Sequence, residues 1–285
     1  MKKRIYVLKA SGDTQLFKMS KLKTSLKNAG AEKKVIQEIV HEIEQLLFPG
    51  ITTKKIYDTA FALLKDKAFP IAGRYKLKNA IRDLGPSGFP FEEYVGSVLK
   101  KNGYQARVGV IIQGHCIQHE VDVEAEKDNV HIMIECKFHA QAGSKSNVKV
   151  SLYIHSRFRD IETMWKKSPE HAKKEHQGWV VTNSQFSDDA LTYGECSGLK
   201  MISWAHPKNN SLKKMIEDAG LHPITCLNSI SDIEMQKLLD KKIVLCSDIC
   251  EDKKILLSIG IKEDRIQGIQ KEGRAICKTA FKKLR

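Results

Sequence analysis

Glu120-Val-Asp122-Val-Glu-Ala-Glu-Lys-Asp-Asn-Val-His-Ile-Met-Ile-Glu135-Cys-Lys137 is the stretch on which the fold turns. It reads as two strands, Glu120–Glu126 and Val130–Phe138. Glu135 and Lys137 are two residues apart and therefore share one face, while Ile134 and Cys136 turn the other way, into a core. A strand near Gln105–Ile112 and a helix over Phe91–Asn102 precede this pair. After it come a long helix, Val150–Lys167, a strand at Gly178–Thr182, a helix at Asp188–Tyr193 and a strand at Lys200–Trp204. Strands and helices in this alternation predict an α/β/α sandwich. Gly85-Pro-Ser-Gly-Phe-Pro90 cannot extend a helix and sets the boundary before it. The domains expected are 1–85, 86–207 and 208–285.

Asp122 on one strand with Glu135-x-Lys137 on the next has a chemical meaning. Metal-assisted phosphodiester hydrolysis needs hard carboxylate oxygens for Mg²⁺ (or Mn²⁺), and an ammonium to orient the attacking water. The constellation resembles that of PD-(D/E)xK nucleases. With Phe91-Glu92-x-x-Val95-x-x-x-Leu99-x-x-x-Gly103-Tyr104 before it and Val180-Val-Thr182-Asn-x-x-Phe186 after it, the segment 86–206 resembles the catalytic domain of Mrr-like restriction endonucleases. The resemblance implies a restriction-endonuclease-like sandwich in which Asp122 and Glu135 ligate metal, Lys137 positions water and Glu92 completes the site. Glu93, about 100° round the helix, faces elsewhere. Many relatives have Gln-x-Lys where this chain has Glu-x-Lys, and often Gly where it has Glu120. The three motif residues are expected on a sheet edge facing solvent. His119 is read either as a contact to water or phosphate or as a hydrogen-bonded strand-end histidine. Lys145, Lys149, Arg157 and Arg159 are candidate DNA-backbone contacts, against a solvated helix face paired with Asp160 and Glu162. Trp165, Trp179 and Trp204 are expected in packing.

The first block reads as a hairpin, Ile5–Lys9 returning at Thr14–Phe17, and then four helices. These are Lys21–Asn28 capped by Ser20, Glu32–Leu47 with its Val35, Ile36, Ile39, Val40, Ile43 stripe, one capped by Thr52 or Thr53, and Ile71–Ile81. Tyr6-Val-Leu-Lys9, Gly12, Phe17-x-x-x-Lys21-Leu22 and Ala72-Gly-Arg-Tyr75-x-Leu-x-x-Ala80 resemble an ATP-cone, the regulatory nucleotide-binding module of ribonucleotide reductases and their repressor. That resemblance covers about 3–82. It implies a β-hairpin lid over a helical bundle, ATP or dATP as regulatory ligand, Val7 and Lys9 beside the nucleotide, Lys21 at its phosphates, Thr53 near the base, and a structural Arg74-Tyr75 pair. No Gly-x-x-x-x-Gly-Lys-Ser/Thr occurs, which excludes a P-loop ATPase by its own motif.

Net charge is +14, divided as +10 over residues 1–85, −1 over 86–207 and +5 over 208–285. An acidic centre between basic flanks suits a metal site that must receive a polyanion. Seven cysteines without a Cys-x-x-Cys pair argue against a disulfide framework and for a reducing cytoplasm. No apolar run reaches the roughly 18 residues a membrane span needs. The tail is expected to be a small helical one; between about 225 and 280, with Gly260 and Lys262, it loosely resembles tandem helix-hairpin-helix units that offer amides to a DNA phosphate. The whole predicts a nucleotide-regulated, Mg²⁺-dependent endodeoxyribonuclease for DNA defence, with DNA and ATP or dATP as partners and a homo-oligomer as the working form. The alternatives are a non-enzymatic, nucleotide-responsive DNA-binding regulator and a nuclease acting on RNA or repair intermediates.

Overall fold

The computed structural model describes residues 4–277. At the N-terminal end β1 (Tyr6–Leu8) and β2 (Thr14–Leu16) pair antiparallel, Val7 opposite Gln15. Five helices follow: α1 (Met19–Asn28), α2 (Lys33–Leu46), α3 (Thr53–Lys67), α4 (Phe69–Tyr75) and α5 (Leu77–Arg82). Their apolar stripes close one core, in which Leu22, Leu26, Ile39, Ile43, Ile56 and Leu64 pack with Val7. Helix starts differ from the sequence expectation. α1 begins at Met19, so Ser20 lies inside its first turn and the helix has no side-chain cap. Thr52 caps α3, its Oγ1 accepting the Lys55 N–H at 3.1 Å, and Thr53 is the first helical residue. The helix expected over Ile71–Ile81 is broken at Lys76, between α4 and α5. The break falls where the chain leaves the first core, which holds Ala72, for a second, which holds Leu77, Ala80 and Ile81.

The middle of the chain runs α6 (Phe89–Lys101), β3 (Gln105–Gln113), β4 (Gln118–Lys127), β5 (Val130–Lys137), β6 (Lys145–Ser146), α7 (Val148–Trp165), β7 (Glu175–Thr182), β8 (Gln185–Phe186), α8 (Asp188–Cys196) and β9 (Lys200–Ile202). The main sheet has the order β3-β4-β5-β7-β9, antiparallel through β5 and parallel from β5 to β9. One face buries Ile132, Ile134 and Cys136 with Phe91, Val95 and Leu99 of α6. The other buries Met133 and Val180 with Ile154, Phe158 and Ile161 of α7 and Ala190 of α8. Each such side chain contributes about 1.5–3 kcal/mol of burial, which fixes the strand parity that separates Glu135 from Cys136. Trp165 and Trp179 are buried in these layers. Because β5 is the middle strand of five, the motif stands at the centre of the sheet and not on its edge.

The remaining helices are α9 (Leu212–Ala219), α10 (Asp232–Asp240), α11 (Cys246–Glu251), α12 (Lys253–Leu257) and α13 (Glu263–Ile276). The segment expected as a small helical tail packs into the fold, since Leu238, Val244, Ile249, Leu256 and Ile269 continue the core that holds α6. Tyr94 Oη donates to the Leu221 carbonyl at 2.7 Å and Thr225 Oγ1 to the Ala80 carbonyl at 2.6 Å. Arg74 donates through Nε to the Ile276 carbonyl at 2.8 Å and through Nη2 to that of Ala275, which satisfies the free end of α13. Tyr75 stacks on Tyr57 at 5.2 Å. Arg74 thus joins the first block to the last, while Tyr75 packs within the first block. The final residues of the expected tail, 278–285, lie outside the described residues.

Candidate active site

Pairing between β4 and β5 runs from Lys127↔Val130 to Val123↔Ile134. Just beyond it, Asp122 Oδ2 accepts the Cys136 N–H at 2.7 Å, a side-chain carboxylate standing where a ladder carbonyl would. On the outer side Gly109 lies across from Asp122, between the Val108↔Val123 and Val110↔Val121 pairs. Its φ of 63° is a conformation that a side-chain-bearing residue adopts only under strain. The consequence shows in the packing: Val121 and Val123, which one face of a regular strand would hold together, go to different cores. The strand rolls at Asp122 and aims its carboxylate at β5.

Glu135 is 5% exposed, and both its oxygens are held. Lys137 Nζ lies 2.5 Å from Oε1, and Arg157 Nη1 lies 2.7 Å from Oε2. Arg157 comes from α7, whose start is capped by Asn147, and also donates to the Glu120 carbonyl. Expected as a DNA-backbone contact, Arg157 instead sits in the site with its side chain 11% exposed, because α7 lies across the face that carries Met133 and Glu135. The role was missed because an arginine two positions from Arg159 looks like any surface cation of a helix.

Glu92 enters from the first turn of α6. Burial, then the charges of Asp122, Glu135 and Glu120, push its carboxyl up to about 7. Asp122 is pushed up to about 6 by burial and by Glu135, against the Cys136 N–H and the charges of Lys137 and Arg157. Carboxylates that raise one another's affinity for a proton converge on one place, and such a place favours a cation. Among the described residues no three Asp, Glu, His or Cys side chains close into a complete metal cage. A pair of carboxylates, Asp122 and Glu135, suits Mg²⁺, which keeps several of its waters and takes one or two carboxylates.

The raised values have a sign that can be tested. A carboxyl whose folded pKa lies above its unfolded value contributes stability at low pH that is lost as pH rises through the folded value. Without divalent metal, stability should therefore fall between about pH 4 and 7, from the unfolded carboxyl values up to the folded values of Asp122 and Glu92. Mg²⁺ binds the ionised form, so it should raise the melting temperature more at the upper pH than at the lower. Scanning calorimetry at both pH values checks this, and Asp122→Asn should shrink the difference.

The other sequence candidates fall outside this centre. His119 is 8% exposed, with Nε2 2.8 Å from Asp160 Oδ2. Asp160 also takes the Cys116 N–H at 2.8 Å, so the pair fastens the β3–β4 turn to α7. This geometry is that of a hydrogen-bonded strand-end histidine. Arg159 is exposed and pairs at 2.5 Å with Glu162, whose side chain is 11% exposed. Lys149 and Lys145 are exposed. Glu93 turns away from the site to Lys242 at 2.7 Å. In the first block Lys9, Lys21 and Thr53 are exposed, but Val7 is 4% exposed. Its side chain faces the core, because β1 turns that position inward. Thr182 and Asn183, quoted in the sequence only as motif, brace the end of β5. Thr182 Oγ1 donates to the Lys137 carbonyl at 2.7 Å, and Asn183 exchanges two bonds with the His139 backbone.

Comparison with known proteins agrees with this geometry. Residues 85–206 match the restriction endonuclease family of the Mrr catalytic domain. Residues 222–277 match the AF1548-like C-terminal domain. A protein of Archaeoglobus fulgidus described as uncharacterized is 31% identical over 182 residues, spanning 63% of this chain and 97% of that protein. A crystal structure of a protein of unknown function, AF1548, is similar with a TM-score of 0.56 and 29% identity, covering 67% of this chain and 99% of that one. No helix among the described residues is long and apolar enough to cross a membrane. The chain belongs to the family of that archaeal protein, with a restriction-endonuclease-like domain of the Mrr type followed by an AF1548-like C-terminal domain.

Proposed function

We propose that the protein is a nucleotide-regulated, Mg²⁺-dependent endonuclease that hydrolyses phosphodiester bonds in DNA. The observation that carries the reading is the convergence of Asp122, Glu135 and Lys137 at the end of paired central strands, with Glu92 entering from α6. Asp122 and Glu135 would hold the cation, which when bound acidifies a water and neutralises charge on the scissile phosphate. Lys137, on the rim of the site, orients the attacking water. Arg157 fixes the position of the buried Glu135 side chain. Glu92, with a carboxyl near 7, is suited to exchanging a proton at neutral pH.

Regulation rests on the ATP-cone resemblance of the first block. ATP or dATP acts as a signal, with Lys9, Lys21 and Thr53 at the ligand, and the nucleotide sets how subunits associate. One site cuts one strand, so a double-strand break needs two sites brought together in a homo-oligomer. Plasmid, linear and methylated DNA incubated with Mg²⁺ or Mn²⁺, with no nucleotide, ATP or dATP, should be nicked or cut in at least one arm and never in EDTA. Light scattering on the same samples should show a mass that changes with nucleotide. Intact DNA in every arm ends the nuclease reading, and one invariant mass with equal cleavage ends the regulatory one.

A further inference from the structure

A cavity of about 440 Å³ opens between the tip of the β1–β2 hairpin and the loop that leaves β5. This is the size range of small-molecule sites. Its walls carry four cations, Lys9 of the hairpin, Lys78 and Arg82 of α5 and Lys145 of β6, against a single carboxylate, Asp13. Lys78 and Arg82 are four apart on one helix, a like-charge pair that destabilises an isolated helix. Burial and the charges of Arg82 and Lys213 hold the Lys78 ammonium below its usual range. A hollow that gathers cations against their mutual repulsion concentrates anions. Thr53, which opens the 15-residue α3, also lines it.

The far wall belongs to the catalytic half. His139 and Gly143 lie on the loop that starts one residue after Lys137, and Asn183 clamps its base. Gly143 has φ 91°, and a Cβ there would lie 3.4 Å from Ser11, so the hairpin tip rests on the loop. Anything bound in the cavity touches the hairpin and the catalytic loop at once.

We propose that this cavity binds the phosphate chain of a nucleotide, held jointly by Lys9, Lys78 and Arg82 of the first block and by Lys145 of the catalytic domain. The proposal goes beyond the nucleotide reading above, which draws all its ligand contacts from the first block and gives the phosphates to Lys21, a residue outside the lining of this cavity. Several cations gathered on one hollow suit a compact polyphosphate rather than an extended strand, which is met by a stripe of basic residues. A ligand that bridges the hairpin and the loop supplies the differential contact that coupling between two sites requires.

The test is calorimetric titration of the full chain with ATP, dATP, inorganic tripolyphosphate and a short single-stranded oligonucleotide. Wild type is compared with Lys78→Gln, Lys145→Gln and Lys21→Gln, none of which takes part in a hydrophobic core. Lys78→Gln and Lys145→Gln should each weaken ATP and tripolyphosphate about tenfold or more, as loss of a charge-assisted bond does. Wild-type binding of neither ATP nor tripolyphosphate overturns the proposal. So does unchanged affinity in both of those variants, or loss confined to Lys21→Gln. An oligonucleotide that competes with tripolyphosphate for the cavity reassigns it to DNA and overturns it too. Binding heat does not depend on hydrolysis, so a protein that binds ATP here yet cuts nothing loses the nuclease reading alone.

Discussion

Lys137→Ala is expected to lower the rate of Mg²⁺-dependent DNA cleavage by on the order of 10²–10⁴, the range that a positioned proton-transfer or charge-stabilising group supplies, while leaving the fold in place. The Lys137 side chain is 36% exposed and takes no part in either core. Its removal leaves Glu135 Oε2 still bonded to Arg157, so the carboxylate keeps one of its two cations and its position. What disappears is the ammonium 2.5 Å from Oε1, on the rim of the site. Lys137→Arg would keep the charge but present a planar fork on a longer stem, and should recover little. Plasmid-relaxation rates at saturating Mg²⁺, with melting temperature and DNA affinity as controls, decide the matter. A Lys137→Ala protein that cuts at the wild-type rate removes the residue from the chemistry.

The parts of this site that were legible in the sequence are those that period-two alternation and local spacing control. Glu135 and Lys137 fall on one face and Ile134 and Cys136 on the other because the strand allows nothing else, and both cores bear that parity out. Long-range placement was less legible. Arg157 lies 22 residues from Glu135 and reaches it only because α7 lies across the sheet, a fact of packing that no local pattern encodes. The roll at Asp122 depends on Gly109 in the neighbouring strand, and a single glycine in a strand does not announce which residue lies across from it. Ser20 was misread as a cap for a simpler reason. Helix ends are set by where the apolar face begins to pack, and here Met19 already packs against the first core. The C-terminal helices looked like a tail because each is short, yet their apolar residues complete the core of α6.

The central position of β5 changes what mutation of Glu135 should do. On a sheet edge, Glu135→Ala would cost little stability. At 5% exposure beside an Arg157 side chain that is 11% exposed, it should destabilise the protein by about 3–5 kcal/mol, the cost of leaving one partner of a buried pair uncompensated. The charge left behind is a guanidinium, which cannot shed its proton to relieve the penalty. Glu135→Gln keeps an amide oxygen for Arg157 to donate to, so it should retain much of that stability while losing the negative charge a metal needs. The two variants therefore separate folding from chemistry. Both should fail to cleave, but only Glu135→Ala should unfold early in urea, and replacing Arg157 by Met in that background should restore part of the loss by removing the orphaned charge. Denaturation curves for the two single variants and the double variant give the answer. Equal stability of Glu135→Ala and wild type would mean that the ion pair is solvated, and that Arg157 is free to serve the DNA as the sequence first suggested.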